Sequence, residues 1–138
     1  MKRLMVFALV FVCVIMVCSC GGNSQEVIAT VFGDNVTTVN VTHIVGGQTT
    51  NWSVEGKQVD ALRAWFNGLN YKHFEVQDGQ DPGAVNGGEI YTFEFPGVDW
   101  YSFSYVINGE KECYILNSDG EWFLVKRPSN PPLTAPTE

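Results

Sequence analysis

A single helical segment interrupts a chain whose other apolar residues mostly alternate with polar ones. Over Lys57–Leu69 apolar side chains recur at three- and four-residue intervals, which is the spacing of one face of an α-helix. Elsewhere the period is two, as in Val36–Val45, which predicts strands with one buried face. The apolar face of the helix must therefore be covered by a sheet. The expected fold class is α+β, with about six to eight mostly antiparallel strands and one amphipathic helix packed on one face.

Turn residues divide the chain into the predicted strands. These strands are Val27–Phe32, Val36–Val45, Thr49–Val54, Tyr71–Val76, Ile90–Phe95, Tyr101–Ile107, Glu112–Leu116 and Glu121–Val125. The first two are expected to pair as a hairpin around Gly33-Asp34-Asn35. Asn108-Gly109 predicts a two-residue type I′ turn, because both central residues of that turn need positive φ. A second turn at Asn117–Gly120 makes the last three strands a predicted meander.

The first twenty residues have the layout of an export signal. Lys2 and Arg3 form a short cationic region, and Leu4–Val17 is apolar throughout. A membrane-spanning helix needs roughly 20 apolar residues, so this shorter run predicts a leader that is cleaved.

The end of this run, Val17-Cys18-Ser19-Cys20, resembles the lipobox of bacterial lipoproteins, in which an aliphatic and a small residue precede a cysteine. The resemblance covers four positions and departs at Cys18, where the family usually has Ala or Ser. It implies cleavage before Cys20 and a diacylglyceryl group on its thiol. The implied location is the cell envelope, with the chain lipid-anchored to the outer face of the membrane. An ordinary secretory signal, giving a soluble product, is the alternative.

The sequence predicts one domain behind this anchor. The expected segments are a signal peptide at 1–19, a flexible tether at 20–26, a single α+β domain at 27–127 and a proline-rich tail at 128–138. Removal of 1–19 takes two of the 8 basic residues and none of the 15 acidic ones, so the net charge becomes 6 minus 15, or −9. Nucleic acid is therefore not an expected partner. Cys113 has no cysteine to pair with inside the domain and is predicted to be a buried apolar residue.

Aromatic side chains are the first candidates for a binding surface, since the chain has more of them than one small core needs. The candidates are Trp52, Trp100, Tyr114 and Trp122, expected on strand faces opposite the core or beside turns. Exposed aromatic residues are enriched at protein interfaces and carbohydrate-binding surfaces. The alternative is that a second layer, such as the chain termini, covers them.

The acidic connection Gln77–Gly88 is the second candidate, because long connections are often functional. It carries Asp78 and Asp81 among glycines, in a spacing that fits no calcium loop. His43 and His73 lack a second ligand at the usual spacing of zinc sites. No metal and no cofactor are predicted.

These residues favour a binding module whose partner is a protein or a cell-wall component. The chain has no Gly-x-Ser-x-Gly and no His-Glu-x-x-His sequence, so no catalytic residue is assigned and enzyme activity is left open. One alternative is an enzyme or enzyme accessory that uses the acidic loop at 77–89. Another is a protein inhibitor, which rests only on a layout shared with cystatin and the beta-lactamase inhibitor protein.

Overall fold

The structure, a computed structural model, describes residues 32–79, 81–84, 88–97, 101–109 and 112–136. These residues form a seven-stranded sheet, antiparallel throughout, with one α-helix on one face. The predicted α+β fold class is confirmed. The predicted signal peptide and tether, with Cys20, lie outside the described residues, and so does Trp100.

The elements follow the chain in the order β1, β2, α1, β3, β4, β5, β6, β7. Their bounds are β1 Thr38–Val45, β2 Gln48–Glu55, α1 Lys57–Gly68, β3 Tyr71–Phe74, β4 Glu89–Glu94, β5 Ser102–Asn108, β6 Glu112–Asn117 and β7 Trp122–Val125. In the sheet the order is β2-β1-β4-β5-β6-β7-β3. The helix therefore connects strands at opposite edges of the sheet. Within the described ranges, no helix combines the length and apolarity needed to cross a bilayer.

Two glycines make the tight turn between β1 and β2. Gly46 and Gly47 have φ values of 57° and 77°, as a type I′ turn requires, and Val45 pairs with Gln48 across it. Strand β1 bonds to β2 on one side and to β4 on the other. Of the strand predicted at Val27–Phe32, only Phe32 is among the described residues, and it does not lie in a strand.

The turn between β5 and β6 also differs from its prediction. Asn108 is not a central turn residue but the last paired residue of β5, opposite Glu112. A two-residue turn at Asn108-Gly109 would shift the pairing by three positions and turn Cys113 and Ile115 away from the helix. Their burial therefore fixes the register, since an odd shift moves every side chain of a strand to the other face.

The core lies between α1 and one face of the sheet. Val59, Leu62 and Phe66 of the helix are each at most 2% exposed, and the Phe66 ring lies 4.5 Å from that of Phe103 on β5. The helix begins at Lys57 as predicted. Gly68 is not among the described glycines with positive φ, so the helix does not end on a left-handed glycine. The helix ends because Leu69 is extended, with its N–H donated to the Phe66 carbonyl.

The proline-rich tail packs on the helix side of the sheet. The Trp65 indole N–H donates to Ser129 Oγ at 2.9 Å, and the Tyr105 hydroxyl donates to the Ser129 carbonyl at 3.0 Å. Pro131 is buried, and Leu133 packs against the core. Two aromatic residues of the core region thus have their polar atoms satisfied by the tail, which covers that side of the domain.

Candidate functional site

The sheet face opposite α1 has a polar half and an aromatic half. In the polar half, hydroxyl and amide side chains of neighbouring strands bond to one another. These pairs are Thr42 with Asn51 at 2.8 Å, Ser53 with Asn40 at 2.8 Å, and Thr92 with Ser104 at 2.9 Å. Because these groups already have partners, the polar half has the character of a solvated sheet surface.

The aromatic half is formed by β6, β7 and β3. The Tyr114 ring lies 6.5 Å from that of Trp122 and 5.2 Å from that of Phe74, in edge-to-face arrangements in both cases. Tyr114 is buried and Trp122 is half-buried. Two of the aromatic candidates, Tyr114 and Trp122, therefore lie together on the face opposite the helix.

The connection between β3 and β4 folds back against this aromatic half. A short 3-10 helix, Pro82–Ala84, lies in it, and the Pro82 carbonyl accepts a 2.7 Å hydrogen bond from Asn108 Nδ2 on β5. The Asp81 carboxylate accepts the Gly83 N–H at 2.7 Å, and a Cβ at Gly83 would lie 3.5 Å from the Trp122 ring. Asp81 is thus held beside Trp122, and both Asp81 and Asp78 of this connection are exposed.

An open groove of about 580 Å³ lies where β3, β7 and this connection meet. The lining residues are His73, Phe74, Glu75, Val76, Asp81, Gly120, Glu121 and Trp122. Two aromatic rings and an exposed valine give it apolar surface, and three carboxylates give it negative charge. This combination of an apolar concave surface with a few convergent polar groups is typical of binding sites.

Asn117 fixes the position of the β7 side of the groove. This buried residue accepts the backbone N–H groups of Asp119 and Glu121 on its Oδ1, at 3.1 and 2.8 Å. Its Nδ2 donates to Glu121 Oε2 at 2.9 Å. The side chain therefore holds the whole β6–β7 turn and orients the Glu121 carboxylate immediately before Trp122.

A second polar cluster lies on the helix side, towards the β1–β2 turn. Glu89 Oε1 accepts the Tyr91 hydroxyl at 2.7 Å and also lies 2.7 Å from His43 Nε2. The rings of His43 and Tyr91 stack at 4.2 Å with an interplanar angle of 9°. Burial, reinforced by the Glu89 carboxylate, raises the pKa of Tyr91, so this hydroxyl stays protonated as a donor.

Trp52 belongs to this second cluster and not to the groove. It was expected opposite the core, but it pairs with Val41 on the helix side, packs against the core and lies edge-on to His43 at 6.4 Å. Its indole N–H is buried without a hydrogen-bond partner. The described aromatic candidates therefore form no single patch, since Trp52 is separated from Trp122 by the sheet itself.

The lone cysteine of the domain is buried, as the sequence predicts. Cys113 is 4% exposed, and burial raises the pKa of its thiol, which disfavours the reactive thiolate. In the described part of the chain, no three side chains of His, Cys, Asp or Glu are grouped so that they could hold a metal ion.

Comparison of the chain with protein-family models, with curated proteins and with solved structures finds no match.

Proposed function

We propose that this chain is a lipid-anchored lipoprotein of the cell envelope whose domain is a binding module. The observation that carries the binding role is the groove, in which Phe74 and Trp122 lie beside the carboxylates of Glu75, Asp81 and Glu121. The groove and its carboxylates lie at the β3 edge of the sheet. A preformed site of this kind binds without large rearrangement.

The chemistry of the groove favours a basic segment of a partner protein over a neutral wall glycan. Three of its lining residues are carboxylates, and the mature chain would carry a net charge of −9, which draws cationic partners towards it. An aromatic ring such as that of Trp122 can hold the aliphatic part or the charged head of a lysine or arginine side chain.

The anchoring part of the proposal rests on the resemblance of Val17-Cys18-Ser19-Cys20 to a lipobox. Two acyl chains, each contributing about 0.8 kcal/mol per buried methylene group, hold a protein stably at a bilayer surface. The predicted tether at 20–26 is short, so the domain would act on partners at or near that surface.

Replacing Cys20 by alanine is expected to abolish incorporation of a labelled fatty acid into the full-length chain. The sulfur of Cys20 is the proposed attachment atom. In cells fed an alkyne-tagged fatty acid, the label on this variant should therefore fall to background. Cys18→Ala is the matched control, because it removes a neighbouring thiol and leaves Cys20 in place. Label that persists in Cys20→Ala, or that is absent from the parent chain, would contradict the anchor.

Glu121→Gln is expected to weaken binding of a hexalysine peptide to the full-length chain about three- to tenfold, as loss of one local carboxylate. Glu55→Gln is the control, since it makes the same change in net charge on an exposed residue of β2, away from the groove. Titration by tryptophan fluorescence at two salt concentrations measures both. Equal weakening by the two variants would mean that only net charge matters and that the groove is not the site.

A further inference from the structure

Among the described residues, strand β2 forms a long edge at one end of the sheet that no other strand covers. In the described part of the chain it pairs with β1 alone, and its other side faces no strand. Its eight residues contain no proline, and Glu55, the last of them, is the one charged residue. Natural proteins protect such edges with charges, prolines, bulges or short strands, and Gln48–Val54 has none of these.

The tight turn fixes which backbone groups of β2 are free. Val45 and Gln48 flank a two-residue turn, so they form a hydrogen-bonded pair, and such pairs alternate along an antiparallel ladder. Thr50 and Trp52 are then bonded to β1. The N–H and C=O groups of Thr49, Asn51 and Ser53 point outward, away from the sheet.

We propose that this edge pairs with β2 of a second copy of the chain, antiparallel and about a twofold axis at Asn51. Two residues that lie opposite each other must point to the same face of the sheet. The axis must therefore pass between a residue and its own equivalent, and not between two successive positions. With the axis at Asn51, Thr49 lies opposite Ser53 of the second copy. Asn51 lies opposite its own equivalent, and the three outward-facing pairs give about six hydrogen bonds. The two sheets become one continuous sheet.

The absence of charge along this edge allows two acidic copies of the chain to meet there. The domain is strongly acidic, so most surfaces of two copies repel each other, but Gln48–Val54 is uncharged over its whole length. With the axis at Asn51, only these uncharged residues pair. With the axis at Trp52, the charged residue Glu55 would be paired as well. Pairing along one strand buries a small area, below about 1,200 Å², so it depends on a high local concentration of the chain.

A cysteine at the axis tests this pairing directly. In membranes that carry the full-length Asn51→Cys chain, a mild oxidant is expected to give a covalent dimer. Residues opposed in a hydrogen-bonded pair have Cα atoms about 5.5 Å apart, within disulfide range. Thr49→Cys is the matched control and should give none, because its two copies would lie roughly 13 Å apart along the strands. The parent chain corrects for cysteines near the leader.

A second variant separates specific pairing from random collision. Ser53→Pro removes an outward N–H, which an edge strand tolerates, so adding it to Asn51→Cys should lower the cross-linked fraction at least threefold. Adding Glu55→Gln instead should leave that fraction unchanged. The pairing would be overturned if Thr49→Cys and Asn51→Cys cross-linked equally or if neither gave more dimer than the parent chain. It would also be overturned if Ser53→Pro had no effect.

Discussion

Phe66→Ala is expected to lower the free energy of unfolding by about 3–5 kcal/mol, which is a large part of the stability of a small domain. Phe66 is 1% exposed, and its ring lies 4.5 Å from Phe103 and 6.2 Å from Tyr71. The substitution removes these contacts and leaves a cavity between helix and sheet, where neighbouring side chains are held by two elements and cannot close it. Urea titration measures the change as a lower midpoint with an unchanged slope.

Asn67→Ala is the control for this substitution, because the next residue of the same helix is exposed. Its effect should stay within about 0.5 kcal/mol. Similar losses from both substitutions would mean that α1 does not pack on the sheet through the face that carries Phe66.

Raising the pH above 10 is expected to unfold the domain before pH 12. Burial raises the pKa of Tyr71 and of Tyr101 to about 12, and burial raises the pKa of Tyr91 and Tyr105 as well. In the unfolded chain these hydroxyls lose their protons near pH 10. The unfolded state therefore binds fewer protons above pH 10, and stability that is fully present below pH 10 is lost as the pH rises towards the folded-state values. Each tyrosine contributes a slope of about 1.4 kcal/mol per pH unit.

Tyrosinate absorbance and near-ultraviolet circular dichroism, followed from pH 8 to pH 12.5, check this expectation. Loss of tertiary structure and appearance of tyrosinate should coincide in one steep transition. Tyr105→Phe should reduce by one the number of protons released on unfolding at high pH. It also removes the hydrogen bond to the Ser129 carbonyl. Tyrosinate that forms near pH 10 with the dichroism intact would show that these hydroxyls are not buried.

Local patterns predicted the α-helix and the seven strands of the described residues. The spacing of Val59, Leu62 and Phe66 placed the helix, and the alternation around Val39 and Val41 placed the core face of β1. These patterns work because each describes contacts within one element or its own flanking turn. At β6 the strand register follows the burial of its apolar side chains and not the two-residue turn predicted from Asn108-Gly109.

The side of the sheet on which Trp52 lies was also accessible from the sequence. A two-residue turn at Gly46-Gly47 pairs Val45 with Gln48 and, by counting back, Val41 with Trp52. Val41 alternates with the polar residues Asn40 and Thr42, which places it on the buried face, and Trp52 must share that face. The missed signal was the length of the turn, which fixes register in a hairpin.

The groove could not be predicted, because it joins segments that are distant along the chain. Phe74 and Asp81 meet Trp122 only because β3 pairs with β7 and the β3–β4 connection folds onto that strand. No local pattern reports which strands become neighbours at that distance. The sequence did single out Asp81 and Trp122 separately, but nothing in it showed that they share a site.

The placement of β3 and β7 side by side has a consequence for the order in which the domain is assembled. Thr42 pairs with Thr92 and His73 pairs with Phe123, so each partner is 50 residues away (92 minus 42, and 123 minus 73). Such long loops slow folding to milliseconds or longer. As the nascent polypeptide emerges from its amino end, α1 appears well before most of the strands it covers. Within the described sheet β3 pairs with β7, which is the last strand to be synthesised. The face of α1 that carries Val59, Leu62 and Phe66 therefore stays uncovered until those strands have formed.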